Sequence, residues 1–157
     1  MLDLEKIKQQ LEKESLEDAL ERYNWEDFEK FVAEIFRYNG FEVRENLRFK
    51  TKRRYEIDIF AKRFDLIFCI DCKRWKKGRY KKSGLKRAAK LQEERILQFK
   101  KFLTRNPIAR NILKIKKIKI IPLIITLFEE DLIKVNNTLF VPLWKLNSFL
   151  QEVELYI

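Results

Sequence analysis

The fold of this chain is decided by one stretch, Leu66-Ile67-Phe68-Cys69-Ile70-Asp71-Cys72-Lys73. Its first five residues are apolar without alternation, which predicts a central strand that is covered on both faces. The strand then ends abruptly in charged residues, which are costly in a protein interior unless they are paired or bind something. Because residues two apart on a strand project from the same face, Asp71 and Lys73 should lie about 7 Å apart on one side of the sheet.

A partner strand is predicted immediately upstream, in Tyr55-Glu56-Ile57-Asp58-Ile59-Phe60. The connection between the two strands is short, so they should pair as an antiparallel hairpin. A two-residue turn would pair Arg63 with Leu66. Asp58 would then lie directly opposite Asp71 on one face, and the isoleucines on either side of Asp58 would share the other face. Two opposed carboxylates repel each other, and a Mg²⁺ ion between them would remove the repulsion.

These three charged residues have complementary roles in hydrolysing a phosphodiester bond. Asp58 and Asp71 would hold the metal, which polarises the phosphate and lowers the pKa of a bound water. The ammonium group of Lys73 would stabilise the pentavalent anion or orient the attacking water. The residue types alone leave a second interpretation open, in which Asp71 and Lys73 form a surface ion pair and Asp58 is an ordinary strand-end residue.

Further strands and helices are predicted on both sides of this hairpin. The helices are expected from Asn24 to Gly40, from Leu85 to Thr104 and from Pro142 onward; additional strands are expected at Phe41–Phe49, Ile115–Leu127 and Thr138–Val141. This α-β-β-β-α-β-β-α order predicts an α/β sandwich with a mixed central sheet flanked by helices. The long helix is predicted to bury Ala88, Leu91, Ile96, Phe99 and Leu103, and the last helix Leu143, Leu146, Phe149, Leu150 and Val153.

The net charge of +11 favours a polyanionic partner. Much of the excess lies between Lys73 and Lys90, where ten lysines and arginines occur without an acidic residue. A solvated basic surface, of the kind that thermophilic proteins carry, is the alternative interpretation. We expect a loop that grips DNA phosphates without reading bases, continued by the start of the next helix: Arg74, Lys76, Lys77, Arg79, Lys81, Lys82, Lys86 and Arg87.

The two cysteines, Cys69 and Cys72, match a C-x-x-C pattern but are not expected to act together. They lie three apart on a predicted strand, so their side chains should point to opposite faces. A shared metal ion or a disulfide between them is therefore excluded, and we expect both to be core residues.

Four quoted segments together resemble a known family: Phe28-Glu29-Lys30-Phe31-Val32, Asn39-Gly40-Phe41-Glu42-Val43, Ile57-Asp58-Ile59 and Ile70-Asp71-Cys72-Lys73-Arg74-Trp75. They resemble the PD-(D/E)xK, or restriction-endonuclease-like, superfamily, and in particular Mrr-like restriction endonucleases and archaeal Holliday-junction resolvases. The chain departs from the usual pattern at Ile57, where proline is usual in Mrr-like members, and at Asp71, where glutamate is commoner.

The resemblance implies a three-layer restriction-endonuclease-like sandwich and a Mg²⁺-dependent DNA endonuclease, with Mn²⁺ as a possible substitute for Mg²⁺. It implies that Asp58, Asp71 and Lys73 are catalytic and that Glu29 completes the metal site. Glu34 competes with Glu29 for that role, but it lies about 140° further around the helix. The resemblance also implies that two polar residues of the long helix face the site, Gln92 and Arg95.

We expect residues 1–23 to form a helical arm and residues 24–157 to form the nuclease-like domain. The start of the sequence has no signal-peptide pattern, and its longest apolar run is about half of a membrane span. A cytoplasmic location is therefore expected. We also expect the protein to be prokaryotic, nucleoid-associated and of thermophilic character, and to work as a homodimer. A relative that binds DNA without cutting it, or an RNA-processing nuclease, remains an alternative.

Overall fold

The structure of the protein is a computed structural model that describes residues 25–73, 82–127 and 132–156. The predicted arm, residues 1–23, and most of the predicted basic loop, residues 74–81, lie outside the described residues. Within the described residues, no helix is long and apolar enough to cross a membrane.

The core of the protein is a mixed sheet of six strands in the spatial order β1-β2-β3-β4-β6-β5. The first three strands form an antiparallel meander, β3, β4 and β6 run parallel, and β5 pairs antiparallel to β6 at the edge. The first three predicted strands are thereby confirmed. The strands are β1 (Glu42–Lys50), β2 (Arg54–Arg63), β3 (Leu66–Lys73), β4 (Ile120–Thr126), β5 (Ile133–Val135) and β6 (Thr138–Pro142).

Helices cover both faces of this sheet, which gives the predicted three-layer α/β sandwich. One face packs against α1 and α4, and the other packs against α2. All five residues that were predicted to point inward from the last helix and its end are buried. The helices are α1 (Trp25–Tyr38), α2 (Lys82–Arg105), α3 (Pro107–Ile112) and α4 (Leu143–Gln151), and a 3₁₀ turn follows at Val153–Leu155.

The predicted end of the first helix at Gly40 is confirmed. The backbone N–H of Gly40 donates to the carbonyl of Arg37 at 3.0 Å, and that of Phe41 donates to the carbonyl of Phe36 at 3.1 Å. This hydrogen-bond pattern is a Schellman motif, which needs a left-handed residue at the position of Gly40. Its φ of 84° meets that need and directs the chain into β1.

The long helix α2 corrects two sequence-based expectations. It begins at Lys82 instead of Leu85. Leu91, predicted to be a core residue, is 52% exposed, whereas the polar Gln92 is 1% exposed. Leu91 lies about 100° around the helix from Gln92, outside the buried stripe that contains Ile96 and Phe99.

The region between α2 and β4 also differs from its prediction. The segment predicted as one strand from Ile115 begins to pair only at Ile120, and the short helix α3 precedes it. Ile115 is nevertheless buried, because it packs in the cluster beneath α2. The three-residue edge strand β5 was not predicted, since so short a segment shows no usable periodicity.

Replacing Gly40 by alanine should lower the free energy of unfolding by about 1–2 kcal/mol, because a left-handed backbone is strained with a Cβ atom. The added Cβ would meet Arg63 only at an ordinary contact distance of 3.7 Å, so the loss would report backbone strain. Gly84→Ala is the matched control, because Gly84 lies in α2 with open space around it and alanine favours a helix. Equal denaturation midpoints for wild type and Gly40→Ala would contradict the assignment.

Candidate active site

The β2–β3 hairpin brings Asp58 and Asp71 together. Its register pairs Arg63 with Leu66, as the two-residue turn predicts. Continued along the ladder, the same register places Asp58 opposite Asp71. The Oδ2 atom of Asp58 accepts a hydrogen bond of 3.1 Å from the backbone N–H of Cys72, so the carboxylate is held against the end of β3.

The alternation of side chains around Asp58 is irregular. Ile57 packs in the hydrophobic cluster beneath α2, whereas Ile59 packs in the cluster beneath α1 and α4. The prediction that these two isoleucines share a face is therefore wrong. Asn46, which lies level with Asp58 on β1, has a φ of 53°. This left-handed residue lies beside the point on β2 where the alternation breaks.

Asp71 is a buried carboxylate with cations on two sides. It is 8% exposed; its Oδ2 atom lies 3.2 Å from Nζ of Lys73, and its Oδ1 atom lies 4.0 Å from Nη1 of Arg95. The side chain of Lys73 is 34% exposed, so its ammonium group reaches solvent. The predicted same-face placement of Asp71 and Lys73 is confirmed, and burial of the carboxylate distinguishes the pair from a surface ion pair.

Each of the two carboxyl groups disfavours ionisation of the other. The pKa of Asp58 is raised to about 7, first by burial and then by the neighbouring charge of Asp71 and a hydrogen bond between the two carboxyl groups, while the N–H of Cys72 acts in the opposite direction. A buried carboxylate and a partly buried one in contact cannot both ionise cheaply. The arrangement therefore holds a proton near neutral pH, or accepts a cation in its place.

Glu29 and Glu34 have different surroundings on α1. The charge of Glu29 contributes to the raised pKa of Asp58, which places this glutamate near the carboxylate pair. Glu34 forms an ion pair of 2.6 Å with Arg37, and Arg37 also contacts Glu45 at 3.3 Å. Glu34 therefore belongs to a surface network, and of the two glutamates it is Glu29 whose charge acts on the Asp58–Asp71 pair.

The predicted metal ligands are only partly gathered. Asp58 and Asp71 lie together, with Lys73 beside them. Among residues 25–73, 82–127 and 132–156, no group of three His, Cys, Asp or Glu side chains is close enough to hold a metal ion. Glu29 acts on the pair through its charge and does not complete such a group.

Two polar residues of α2 support the site from behind. Gln92 donates hydrogen bonds to the carbonyls of Cys69 in β3, at 2.9 Å, and Leu123 in β4, at 3.3 Å. Its Oε1 atom accepts a hydrogen bond from Nη1 of Arg95. That Nη1 atom is also the one that lies 4.0 Å from Asp71. The expectation of a residue facing the site is thus confirmed for Arg95, whereas Gln92 contacts the sheet backbone and fixes the guanidinium to it.

One neighbour of the site was missed from the sequence. Thr126 pairs with Lys73 in the β3–β4 register and is fully buried, and its hydroxyl has no hydrogen-bond partner in the described part of the chain. It ends an Ile-rich strand, and a polar residue at that position was the available signal.

The predicted DNA-binding residues are only partly within the described part of the chain. Lys86 and Arg87 are exposed on α2, as a phosphate-binding role requires. Lys82 is the first residue of that helix, but its side chain is not among the described parts of the chain. The remaining predicted residues lie outside the described residues altogether: Arg74, Lys76, Lys77, Arg79 and Lys81.

The two cysteines are separate core residues, as predicted. Cys69 packs in the cluster beneath α2, and Cys72 packs in the cluster beneath α1 and α4. Both are buried free thiols. Burial raises the pKa of each thiol, which disfavours the thiolate form that metal ligation needs.

The chain is similar to proteins of a known family. Residues 20–113, more than half of the chain, match the family model Mrr_cat, described as restriction endonuclease. An uncharacterized protein of Archaeoglobus fulgidus is 27% identical over 134 residues, which cover 85% of this chain and 94% of that protein.

A solved structure with partial similarity adds no functional information. The crystal structure of a protein of unknown function aligns with a TM-score of 0.44 and 22% identity, over 66% of this chain. The aligned part spans 48% of that protein's chain, so the chain corresponds to about half of its length.

The metal-free protein should lose stability as the pH rises from about 4 to about 7. In that window the folded state keeps a proton on Asp58 that the unfolded state has released, so the free energy of unfolding falls with pH. Asp58→Asn should flatten this dependence because the amide does not titrate. The measurement is urea denaturation at several pH values in chelator. Asp65→Asn, in the exposed turn, is the control, and an unchanged slope in Asp58→Asn would refute the assignment.

Proposed function

The chain belongs to the Mrr_cat restriction endonuclease family, and we propose that it is a Mg²⁺-dependent endonuclease that hydrolyses phosphodiester bonds in DNA. The observation that carries the proposal is the Asp58–Asp71 pair at the end of the β2–β3 hairpin, with Nζ of Lys73 at 3.2 Å from Asp71. Membership in a nuclease family supplies the reaction class, and these three side chains supply the chemistry that the reaction needs.

The donor atoms of the pair suit Mg²⁺. Carboxylate oxygens are the ligands that this ion prefers. Burial and the charge of Asp71 raise the pKa of Asp58, so a cation beside the pair would favour the ionised carboxylates that bind it. Bound there, Mg²⁺ would polarise the scissile phosphate and lower the pKa of the attacking water. Mn²⁺, which takes similar oxygen ligands, would serve as a substitute. We assign Glu29 a supporting role through its negative charge, which strengthens the attraction for a cation.

We assign Lys73 two alternative contacts, one with Asp71 and one with the substrate. In the free protein its ammonium group neutralises a buried carboxylate. With a cation held by Asp58 and Asp71, Asp71 would no longer need that partner, and the ammonium group of the partly exposed Lys73 side chain would be able to contact the scissile phosphate. It would then stabilise the negative charge that develops in the transition state. Arg95, held by Gln92, keeps Asp71 in place while Lys73 changes partner.

DNA is the substrate that the charge distribution favours. The net charge of +11 and the exposed Lys86 and Arg87 on α2 provide attraction to phosphates without base recognition. One carboxylate pair acts on one phosphodiester at a time. Cutting both strands of a duplex in one encounter therefore needs two sites, and we propose a homodimer as the form that provides them.

Replacing Asp71 by asparagine should abolish cleavage and leave DNA binding within about threefold of wild type at low salt, because the basic residues supply the affinity. The assay is cleavage of duplex, branched and single-stranded DNA, and of RNA, with Mg²⁺ or Mn²⁺, alongside binding in chelator. Asp65→Asn removes the same charge from the exposed turn and should cut normally. A folded Asp71→Asn that retains cleavage would disprove the metal site.

Replacing Lys73 by methionine should slow single-turnover cleavage by about 10²–10³-fold at saturating Mg²⁺, since one preorganised charge is lost from the transition state. DNA affinity should change little, because the ground state gains little from this group. If Lys73 only neutralises Asp71, the rate at saturating metal falls by less than about tenfold. A titration of Mg²⁺ for both proteins separates the two roles, and a rate near wild type would remove Lys73 from the catalytic set.

A further inference from the structure

We propose that a second basic surface, the hairpin–α2 patch, binds the DNA backbone about 14 Å from the carboxylate pair. The patch consists of Lys50, Lys52, Lys101 and Arg105. It is separate from the basic run between Lys73 and Lys90, and it rests on the proposed function for the identity of its ligand.

The fold brings two basic segments together from distant parts of the sequence. The first is Lys50-Thr51-Lys52-Arg53-Arg54 at the β1–β2 turn, and the second is the last turn and a half of α2. Oγ1 of Thr51 donates a hydrogen bond of 2.8 Å to Oε1 of Gln98. The ring of Phe49 packs 5.0 Å from that of Phe99 and 5.5 Å from that of Phe102.

This packing holds like charges close together. The four cations of the patch are exposed or at the surface of a cavity of about 320 Å³, which they line with Thr51, Gln98 and Asn106. No acidic side chain lines this cavity in the described ranges; Glu94 lies behind it and accepts a hydrogen bond of 3.1 Å from Gln98. Unpaired cations gathered around hydrogen-bonding groups form a site for anionic oxygen atoms.

The cations of the patch repel one another, and a bound polyanion would remove this repulsion. In the part of the chain that the structure describes, Lys50, Lys52, Lys101 and Arg105 form no ion pair. Their mutual repulsion is offset by the aromatic packing beneath them. By contrast, Arg48 on the same hairpin is paired with Glu56 at 3.3 Å. Lys50 and Lys52, at the tip of the β1–β2 hairpin where it meets α2, therefore have no acidic partner among the described residues.

Two independent elements give the distance from the site. Lys50 of the patch pairs with Arg54 in the β1–β2 register. Arg54 precedes Asp58 by four residues on β2, which corresponds to about 14 Å at 3.4 Å per residue. Lys101 follows Gln92 by nine residues on α2, which also corresponds to about 14 Å at 1.5 Å per residue. Duplex DNA rises 3.4 Å per base pair, so the patch should contact phosphates about four base pairs from the cleaved bond.

The position of the site between two basic surfaces follows from α2. Lys86 and Arg87 are exposed near its start, the patch occupies its end, and Gln92 contacts β3 between them. From Lys86 to Lys101 the helix spans about 22 Å. A duplex lying along α2 would be held on both sides of the carboxylate pair.

The test is a triple variant, Lys52→Gln, Lys101→Gln and Arg105→Gln, compared with Lys116→Gln, Lys117→Gln and Lys119→Gln as a control of equal charge. The control residues are exposed in the segment before β4, at the other end of the parallel strands. Binding to a 24-base-pair duplex is measured in chelator between 50 and 200 mM salt. If three phosphate contacts are lost, the slope of log K against log[salt] falls by about 2.7, and wild type loses about 40-fold more affinity than the variant over that range.

Hydroxyl-radical footprinting and cleavage distinguish the possible outcomes. The patch should protect sugars about four base pairs from the cut, and the triple variant should lose that protection while the control keeps it. A patch variant with the slope of the control overturns the inference, even if wild type cuts DNA. A reduced slope in a protein that cuts nothing supports the patch and refutes the nuclease proposal instead. Tighter patch-dependent binding to duplex RNA than to duplex DNA overturns the assigned ligand.

Discussion

The register of the β2–β3 hairpin sets Asp58 against Asp71 in the interior of the protein, and much of the surrounding structure answers that constraint. An unpaired carboxylate away from water is among the most costly groups a fold can contain. Here the cost is met by Lys73 and Arg95 on the side of Asp71 and by the N–H of Cys72 on the side of Asp58. The remaining effect of burial and of the charge of Asp71 is the raised pKa of Asp58.

The same constraint explains why α2 carries a buried glutamine. An arginine at the distance of Arg95 from Asp71 is useful only if its guanidinium group stays in place. Gln92 fixes it by bonding to the carbonyls of two adjacent strands, so the position of the charge is tied to the sheet. A residue with no contact to any substrate thereby becomes part of the geometry of the site, and α2 serves as both a covering layer and a support.

Much of the fold and of the site was predictable because it depends on local sequence. The short turn fixes the hairpin register, in which paired residues are an odd number of positions apart, so Asp58 and Asp71 are placed opposite each other. Gly40 marks the end of α1 because its left-handed backbone favours a residue without a side chain. These features need only strand periodicity, helix geometry and turn chemistry.

The expectations that failed depend on tertiary contacts. Leu91 was predicted to be buried because it is apolar, but the adjacent Gln92 has carbonyl partners that only the folded sheet presents. Ile57 packs on the opposite layer from Ile59, beside the left-handed Asn46 of β1, which a regular alternation does not anticipate. The hairpin–α2 patch joins segments 47 residues apart, so no local charge count separates it from an ordinary solvated surface.

Cys69 and Cys72 lie in opposite hydrophobic layers and are the only cysteines of the chain. Their reactivity toward a thiol reagent would therefore record separately how often each layer opens. The protein thus contains its own pair of reporters of internal motion, one on each side of the sheet that carries the carboxylates.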